Sequence, residues 1–182
     1  MPDMMLIGVL LLAALFSSEV TADLLPKRGM QKRTCDGNDR RCDQSGKRLC
    51  PDGVISFGRC YTFVSEEKDW LKAEAYCQNM VPGGHLASMH CKKQFDTIIK
   101  SVPKVNGNTI SFWIGLVDIK EEGTYVWVDG SPTDYTKWQM YEPNNYGNED
   151  CVHIKGEPIP GWNDARCDLE LPFVCSHKAP CD

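Results

Sequence analysis

The chain has 182 residues, 42% of them hydrophobic and ten of them cysteine, with a formal net charge of -5 at pH 7. A mildly acidic balance excludes a partner recognised through its phosphates, which would require a basic face. The length suits one domain built around one core.

Leu6 to Phe16 form an apolar run, followed by Ser17, Ser18 and the small-residue sequence Val20-Thr21-Ala22. This reads as a signal peptide, residues 1–22, cut after Ala22. Only Asp3 precedes the run, so the usual basic flank is missing. A retained membrane anchor is the alternative, but the run falls short of the roughly 20 apolar residues that span a bilayer. Removing residues 1–22 takes away Asp3 and Glu19 and leaves a charge of -3. The expected product is secreted, extracellular and free of a membrane anchor.

All ten cysteines lie beyond Ala22, and an even number in an oxidising compartment implies five disulfides. The spacings contain no Cys-x-x-Cys pair, which argues against zinc. Residues 23–49 are polar and basic, with Lys27-Arg28, Lys32-Arg33, Arg40-Arg41 and Lys47-Arg48. They read as a flexible arm whose basic pairs serve either as protease processing sites or as a solvated linker.

The compact domain is expected over residues 50–176, with 177–182 as a C-terminal tail. Phe57, Cys60, Tyr61, Phe63 and Val64 around Gly58 predict a short hairpin. Ser65 is expected to cap a helix with Glu66 and Glu67 in its first turn and Trp70, Ala73 and Cys77 on its buried face. Pro82-Gly83-Gly84 ends it. A second helix from about Ser88 presents Phe95, Ile98, Ile99 and Val102, and Pro103 closes it. Strands follow at Phe112 to Val117, Tyr125 to Val128, Cys151 to Ile154 and Pro172 to Cys175, with turns at Glu122-Gly123 and Asp129-Gly130. The class is α+β. Residues 131–150 form a long polar loop without a periodic apolar face, and such loops are usually functional.

Glu142-Pro143-Asn144, Glu149-Asp150-Cys151 and Trp162-Asn163-Asp164, with Trp113-Ile114-Gly115-Leu116 and the framework of Cys77, Cys151, Cys167 and Cys175, resemble the C-type lectin domain. The likeness runs from Cys50 to Cys175. Gly84-His85-Leu86-Ala87-Ser88 is similar to secreted fish and venom members. The resemblance implies two helices, small antiparallel sheets and a long calcium-binding loop. It also implies the pairings Cys50 with Cys60, Cys77 with Cys175 and Cys151 with Cys167. By the same likeness Cys91 pairs with Cys181 and leaves Cys35 with Cys42; the alternative is that Cys35 or Cys42 joins two chains.

Glu142, Asn144, Glu149, Asn163 and Asp164 are an oxygen-only set of the kind calcium takes. Three carboxylates and two amides leave coordination positions for adjacent sugar hydroxyls, which also donate to the carboxylates and accept from the amides. The resemblance links Glu142 with Asn144 to mannose, fucose and N-acetylglucosamine, and Gln with Asp at those positions to galactose. It also implies a cis bond before Pro143. By the same resemblance, Asp118, Glu122 and Asp150 fall where the family's auxiliary calcium ligands lie, with the Glu149 carbonyl as a further candidate and Asn145 where a carboxylate is often found; the alternative is an acidic surface turn. Tyr146 and Asn148 are positioned to shape selectivity, whereas Tyr141 and His153 are expected to serve packing.

His85, His90, His153 and His177 sit in no recognisable nucleophile arrangement, and neither Gly-x-Ser-x-Gly nor His-Glu-x-x-His occurs, so catalysis is not expected. The resemblance implies a calcium-dependent binder of mannose-type glycans acting in innate recognition or agglutination. A homo-oligomer is expected, because single shallow sites bind weakly. The rival is a protein-binding or ice-binding use of the same fold.

Overall fold

The structure, a computed structural model, describes residues 50–179. By its contacts the chain divides into residues 1–31 and 32–182, and every described residue belongs to the second unit. The expected signal peptide, the basic arm with Cys35 and Cys42, and Cys181 lie outside the described residues.

Strands β1 (Gly53–Ser56) and β2 (Arg59–Lys68) form the expected hairpin. Its turn places Phe57 and Gly58 at φ 51° and 71°, the two positive angles that a tight right-twisted hairpin requires. Helix α1 (Trp70–Met80) follows, then β3 (His85–Leu86), α2 (Lys92–Ser101), β4 (Lys104–Val105) and β5 (Asn108–Thr109). The remaining strands are β6 (Phe112–Val117), β7 (Val126–Trp127), β8 (Cys151–Lys155), β9 (Gly161–Ala165) and β10 (Leu171–Lys178). The main sheet has the order β1-β2-β10-β6-β8-β9, with β3 on β10 and β7 on β6. β10 runs antiparallel to β2 from Lys178↔Arg59 to Leu171↔Lys68, so the two ends of the domain zip together.

Both helices start later than the sequence suggests. Ser65, Glu66 and Glu67 belong to β2, because β10 extends the ladder to Lys68. Asp69 caps α1 instead, its Oδ1 accepting from the Lys72 N–H at 2.8 Å. Residues 87–91 are extended: Ala87 N–H donates to Val174 O, and Ser88 Oγ donates to Asp129. α2 therefore begins at Lys92, with Gln94 Oε1 accepting the N–H of His90.

β6 is buried along its whole length, and its side chains alternate between two cores. Phe112, Ile114 and Leu116 join Phe95, Ile98, Trp127, Val152 and Trp162. Trp113 and Val117 join Trp70, Ala73, Cys77, Leu86 and Phe173 under α1. Disulfides Cys50–Cys60, Cys77–Cys175 and Cys151–Cys167 form as expected. The second of these ties α1 to β10 across 98 residues of sequence. Cys91 is also disulfide-bonded.

Candidate functional site

The long loop, residues 131–150, leaves β7 and returns through Asp150 into β8. Its root is clamped by Asp129, which accepts from Ser88 Oγ at 2.6 Å and from the Ser131 N–H at 3.0 Å, and pairs with Arg59 at 3.2 Å. Burial opposes ionisation of Asp129, but the Ser131 and Ser88 hydrogen bonds and the Arg59 charge outweigh it and hold the carboxyl below its ordinary range. His90 Nδ1 meets Asp134 Oδ1 at 2.9 Å. Further along, Trp138 packs edge-on against Trp162 with ring centres 5.6 Å apart. Gln139 N–H donates to Trp162 O at 2.9 Å, and Trp162 N–H to Lys137 O at 2.7 Å. These bonds fasten the loop to β9.

The sequence does not predict that strand, because Trp-Asn-Asp has the composition of a turn. Pairing of Val152↔Asp164 and His153↔Asn163 draws it into the sheet. Trp162 fills the core, and Asp164, also fully buried, becomes the hub of the loop. Asp164 Oδ1 accepts from the Asn144 N–H at 3.1 Å and Oδ2 from the Asn145 N–H at 2.8 Å. The Glu142–Pro143 bond is cis. Asn144 Nδ2 donates to Glu142 Oε2, and Asn144 Oδ1 accepts from the Tyr146 N–H at 2.8 Å. Glu149 Oε2 accepts the same N–H at 3.0 Å, while the Glu149 N–H donates to Asn145 Oδ1 at 2.7 Å. Asn163 Nδ2 donates to the Asp164 carbonyl.

Asp164 thus holds the peptides of Asn144 and Asn145 and acts on Glu142 and Glu149, while Asn163 is joined to it through the Asp164 carbonyl. The three carboxylates register one another. Glu142 is raised above the ordinary carboxylate range, first by desolvation and then by a hydrogen bond with Asp164 and its charge. Glu149 is raised by desolvation and by Asp164, against the Tyr146 hydrogen bond. Carboxylates held in mutual repulsion, with amide oxygens among them, have the donor chemistry of a site for a hard cation. Among the described residues no three acidic, histidine or cysteine side chains are gathered so as to hold an ion by themselves; this set depends on its amides.

The auxiliary residues Asp118, Glu122 and Asp150 are near enough for their charges to act on one another, but their side chains are not gathered closely enough to hold an ion by themselves. Asp118 is buried and accepts from the Gly123 N–H at 2.8 Å through Oδ2, while its Oδ1 is buried without a hydrogen-bond partner. A buried carboxylate oxygen left in this way is an acceptor that a cation could use. Glu122 is raised by desolvation, by the charges of Asp118 and Asp150 and by a hydrogen bond with the Asp118 carboxyl, with Asn145 hydrogen-bonding to it in the opposite sense. Tyr125 lies between the two groups, its hydroxyl 3.4 Å from Asp164 Oδ2. Desolvation, followed by the charges of Asp164, Asp118 and Glu122, pushes that phenol far up. Nothing in the sequence singles out Tyr125.

His153 behaves as expected for a strand residue: it stacks edge-on to Trp113, and burial pushes its imidazole down to about 4. Tyr141 differs from expectation. It packs into no core and is 87% exposed, as is Tyr146 at 86%.

Residues 66–177 match the sequence profile of the lectin C-type domain. The chain belongs to the C-type lectin family. A lectin of Pleurodeles waltl is 36% identical over 140 residues, spanning 76% of this chain and 81% of its own length. Among solved structures, the cow C-type carbohydrate-recognition domain of CD23, determined in the presence of GlcNAc2Man3 oligosaccharide, is 36% identical with a TM-score of 0.63. That likeness covers 71% of this chain and 95% of the CD23 domain. A calcium-independent type II antifreeze protein is 30% identical with a TM-score of 0.65, covering 72% of this chain and 96% of its own. The two helices, small sheets and disulfide framework are thus those of the C-type lectin fold, as the motifs implied.

Proposed function

We propose that this C-type lectin is a secreted, calcium-dependent binder of mannose-type sugars, with Glu142, Asn144, Glu149, Asn163 and Asp164 forming the site. The observation that carries the reading is the convergence of this mixed acid and amide set on buried Asp164. Calcium, when bound, would supply a positive centre to which two adjacent sugar hydroxyls are attracted. Glu142 and Glu149 then accept hydroxyl protons, and the Asn144 and Asn163 amides donate to hydroxyl oxygens, so ligand geometry is read by hydrogen-bond polarity. Glu142 with Asn144 is the arrangement that the family resemblance links to mannose, fucose and N-acetylglucosamine. Asp118, Glu122 and Asp150, with Asn145, would hold an auxiliary calcium ion, which would offset the mutual repulsion of their carboxylates. The buried, unpartnered Asp118 Oδ1 supports it.

The role is glycan recognition without catalysis, amplified by oligomerisation, with agglutination of glycan-bearing surfaces as the outcome. Retention of residues 23–182 on mannose resin in calcium, release by EDTA and passage through galactose resin are the expected results. Passage through mannose resin with the disulfides intact refutes the proposal. A second reading, ice binding, draws on the likeness to the type II antifreeze protein. It requires thermal hysteresis that persists in EDTA.

A further inference from the structure

Beside the Glu142 set lies a cavity of about 340 Å³, lined among others by Trp138, Met140, Pro158, Ile159, Pro160 and Gly161. This is within the roughly 300 to 1,000 Å³ of small-molecule sites. Its position follows from the backbone. Gly161 and Asn163 lie two residues apart on one face of β9, about 7 Å along the strand. On the other wall, Met140 and Tyr141 run directly into Glu142, whose N–H donates to Gln139 O at 3.2 Å.

The wall is fixed in place. Gln139 Nε2 donates toward the carbonyls of Lys155, Glu157 and Ile159 at 3.1, 3.1 and 2.8 Å, which pins the 155–161 turn against the loop. A side chain on Gly161 would place its Cβ 2.7 Å from Gln139 Cγ, so the absence of one lets the two segments close.

Two large apolar groups of the lining stand in solvent, Met140 at 79% and Ile159 at 71% exposed, and Tyr141, next in the chain to Met140, is 87% exposed. Tyr141 also holds φ at 70°, a left-handed angle that costs a bulky residue energy and that glycine would adopt freely. Contiguous exposed apolar groups on a rigid frame mark a binding surface. Lys137 contributes the only charged side chain of the lining, and it is positive, so a cation has no partner there; the Gln139 amide nitrogen is already taken by the carbonyls of the turn.

Resting on the sugar-site reading above, we infer that this cavity is a second subsite that takes an apolar aglycone, the first methylenes of an alkyl chain attached to the sugar at Glu142. The ligand class is therefore an alkyl or lipid glycoside rather than a free sugar. The sugar hydroxyls are held by the acid and amide set, and the substituent is directed along Met140 and Tyr141 into the trough under Ile159.

The test is calorimetric titration, in calcium, of n-hexyl α-mannopyranoside and methyl α-mannopyranoside below any micelle concentration, on wild type and on the double variant Met140→Ser, Ile159→Ser. Both side chains are exposed, so the variant keeps its fold. The wild type is expected to bind the hexyl glycoside at least tenfold tighter, about 1.4 kcal/mol. The variant loses that preference while holding methyl mannoside as before. Equal affinities in the wild type, or a preference that survives in the variant, overturns the subsite alone. Failure of methyl mannoside to bind in calcium overturns the sugar site and the subsite with it.

Discussion

Replacing Asp164 by Asn changes one atom at the hub of the loop and separates its two roles. The wild-type carboxylate accepts two backbone N–H groups, from Asn144 at 3.1 Å and Asn145 at 2.8 Å, while fully buried. An amide keeps one acceptor and turns its NH2 toward the other peptide N–H. One charge-assisted hydrogen bond, about 1.5 to 3 kcal/mol, is lost. Relief of repulsion with Glu142 and Glu149 offsets part of it, which leaves about 1 to 2 kcal/mol of destabilisation without calcium. For a domain of this size that lowers Tm by roughly 5 °C. The effect on calcium adds to this. At a calcium concentration of about 100 Kd the wild type gains about 2.7 kcal/mol, and a hundredfold weaker variant gains only about 0.4 kcal/mol under the same conditions. Calorimetric melting in EDTA and in calcium reads both quantities. A variant that melts with the wild type in EDTA and shows the same calcium-induced rise refutes the assignment of Asp164 as both hub and ligand.

Acid should act with opposite sign on the calcium-free and calcium-loaded forms. Glu142 and Glu149 have folded values above the ordinary ones, so the stability they contribute without calcium is fully present below the unfolded glutamate value, about 4.3, and is lost as pH rises through the folded values. In EDTA the wild type therefore gains stability relative to a Glu142→Gln, Glu149→Gln variant as pH falls from 7 toward the unfolded glutamate value, whereas in calcium the same protons displace the ion and release sugar. A wild-type minus variant difference that stays flat across that range in EDTA contradicts the repulsion. Exchanging Glu142→Gln together with Asn144→Asp should move resin retention from mannose to galactose at unchanged Tm; continued mannose retention counts against the assigned selectivity. Glu74→Ala should cost about 2 to 4 kcal/mol in urea unfolding, because the buried carboxylate accepts from the Leu86 N–H at 2.8 Å and Gln78 Nε2 at 2.6 Å and meets His85 Nδ1 at 2.7 Å. A loss under 1 kcal/mol would show that these bonds are replaceable by water.

The sequence made the site more legible than the elements that carry it. Glu142, Asn144, Glu149, Asn163 and Asp164 stand out because Glu142-Pro143-Asn144 and Trp162-Asn163-Asp164 resemble C-type lectin motifs at matching positions of the cysteine framework. Helix starts were less visible, since Ser65 and Asp69 are both good caps and only the ladder with β10 decides between them. β9 was hidden for a similar reason. Asn163 and Asp164 favour turns locally, and their strand conformation is imposed by β8 and by the aromatic packing of Trp162. Tyr125 and Tyr141 read as ordinary aromatic residues. The fold brings one to Asp164, and the other stands exposed at a left-handed backbone angle.

The central claim is that a mannose-type sugar is held through calcium on these five residues. A crystal of the domain grown in calcium and soaked with methyl α-mannoside tests it most directly. The expected density is one cation bound by oxygens of Glu142, Asn144, Glu149, Asn163 and Asp164, with two adjacent sugar hydroxyls completing its shell. A sugar bound elsewhere, or density for neither ion nor sugar at Asp164 under saturating conditions, would contradict the account.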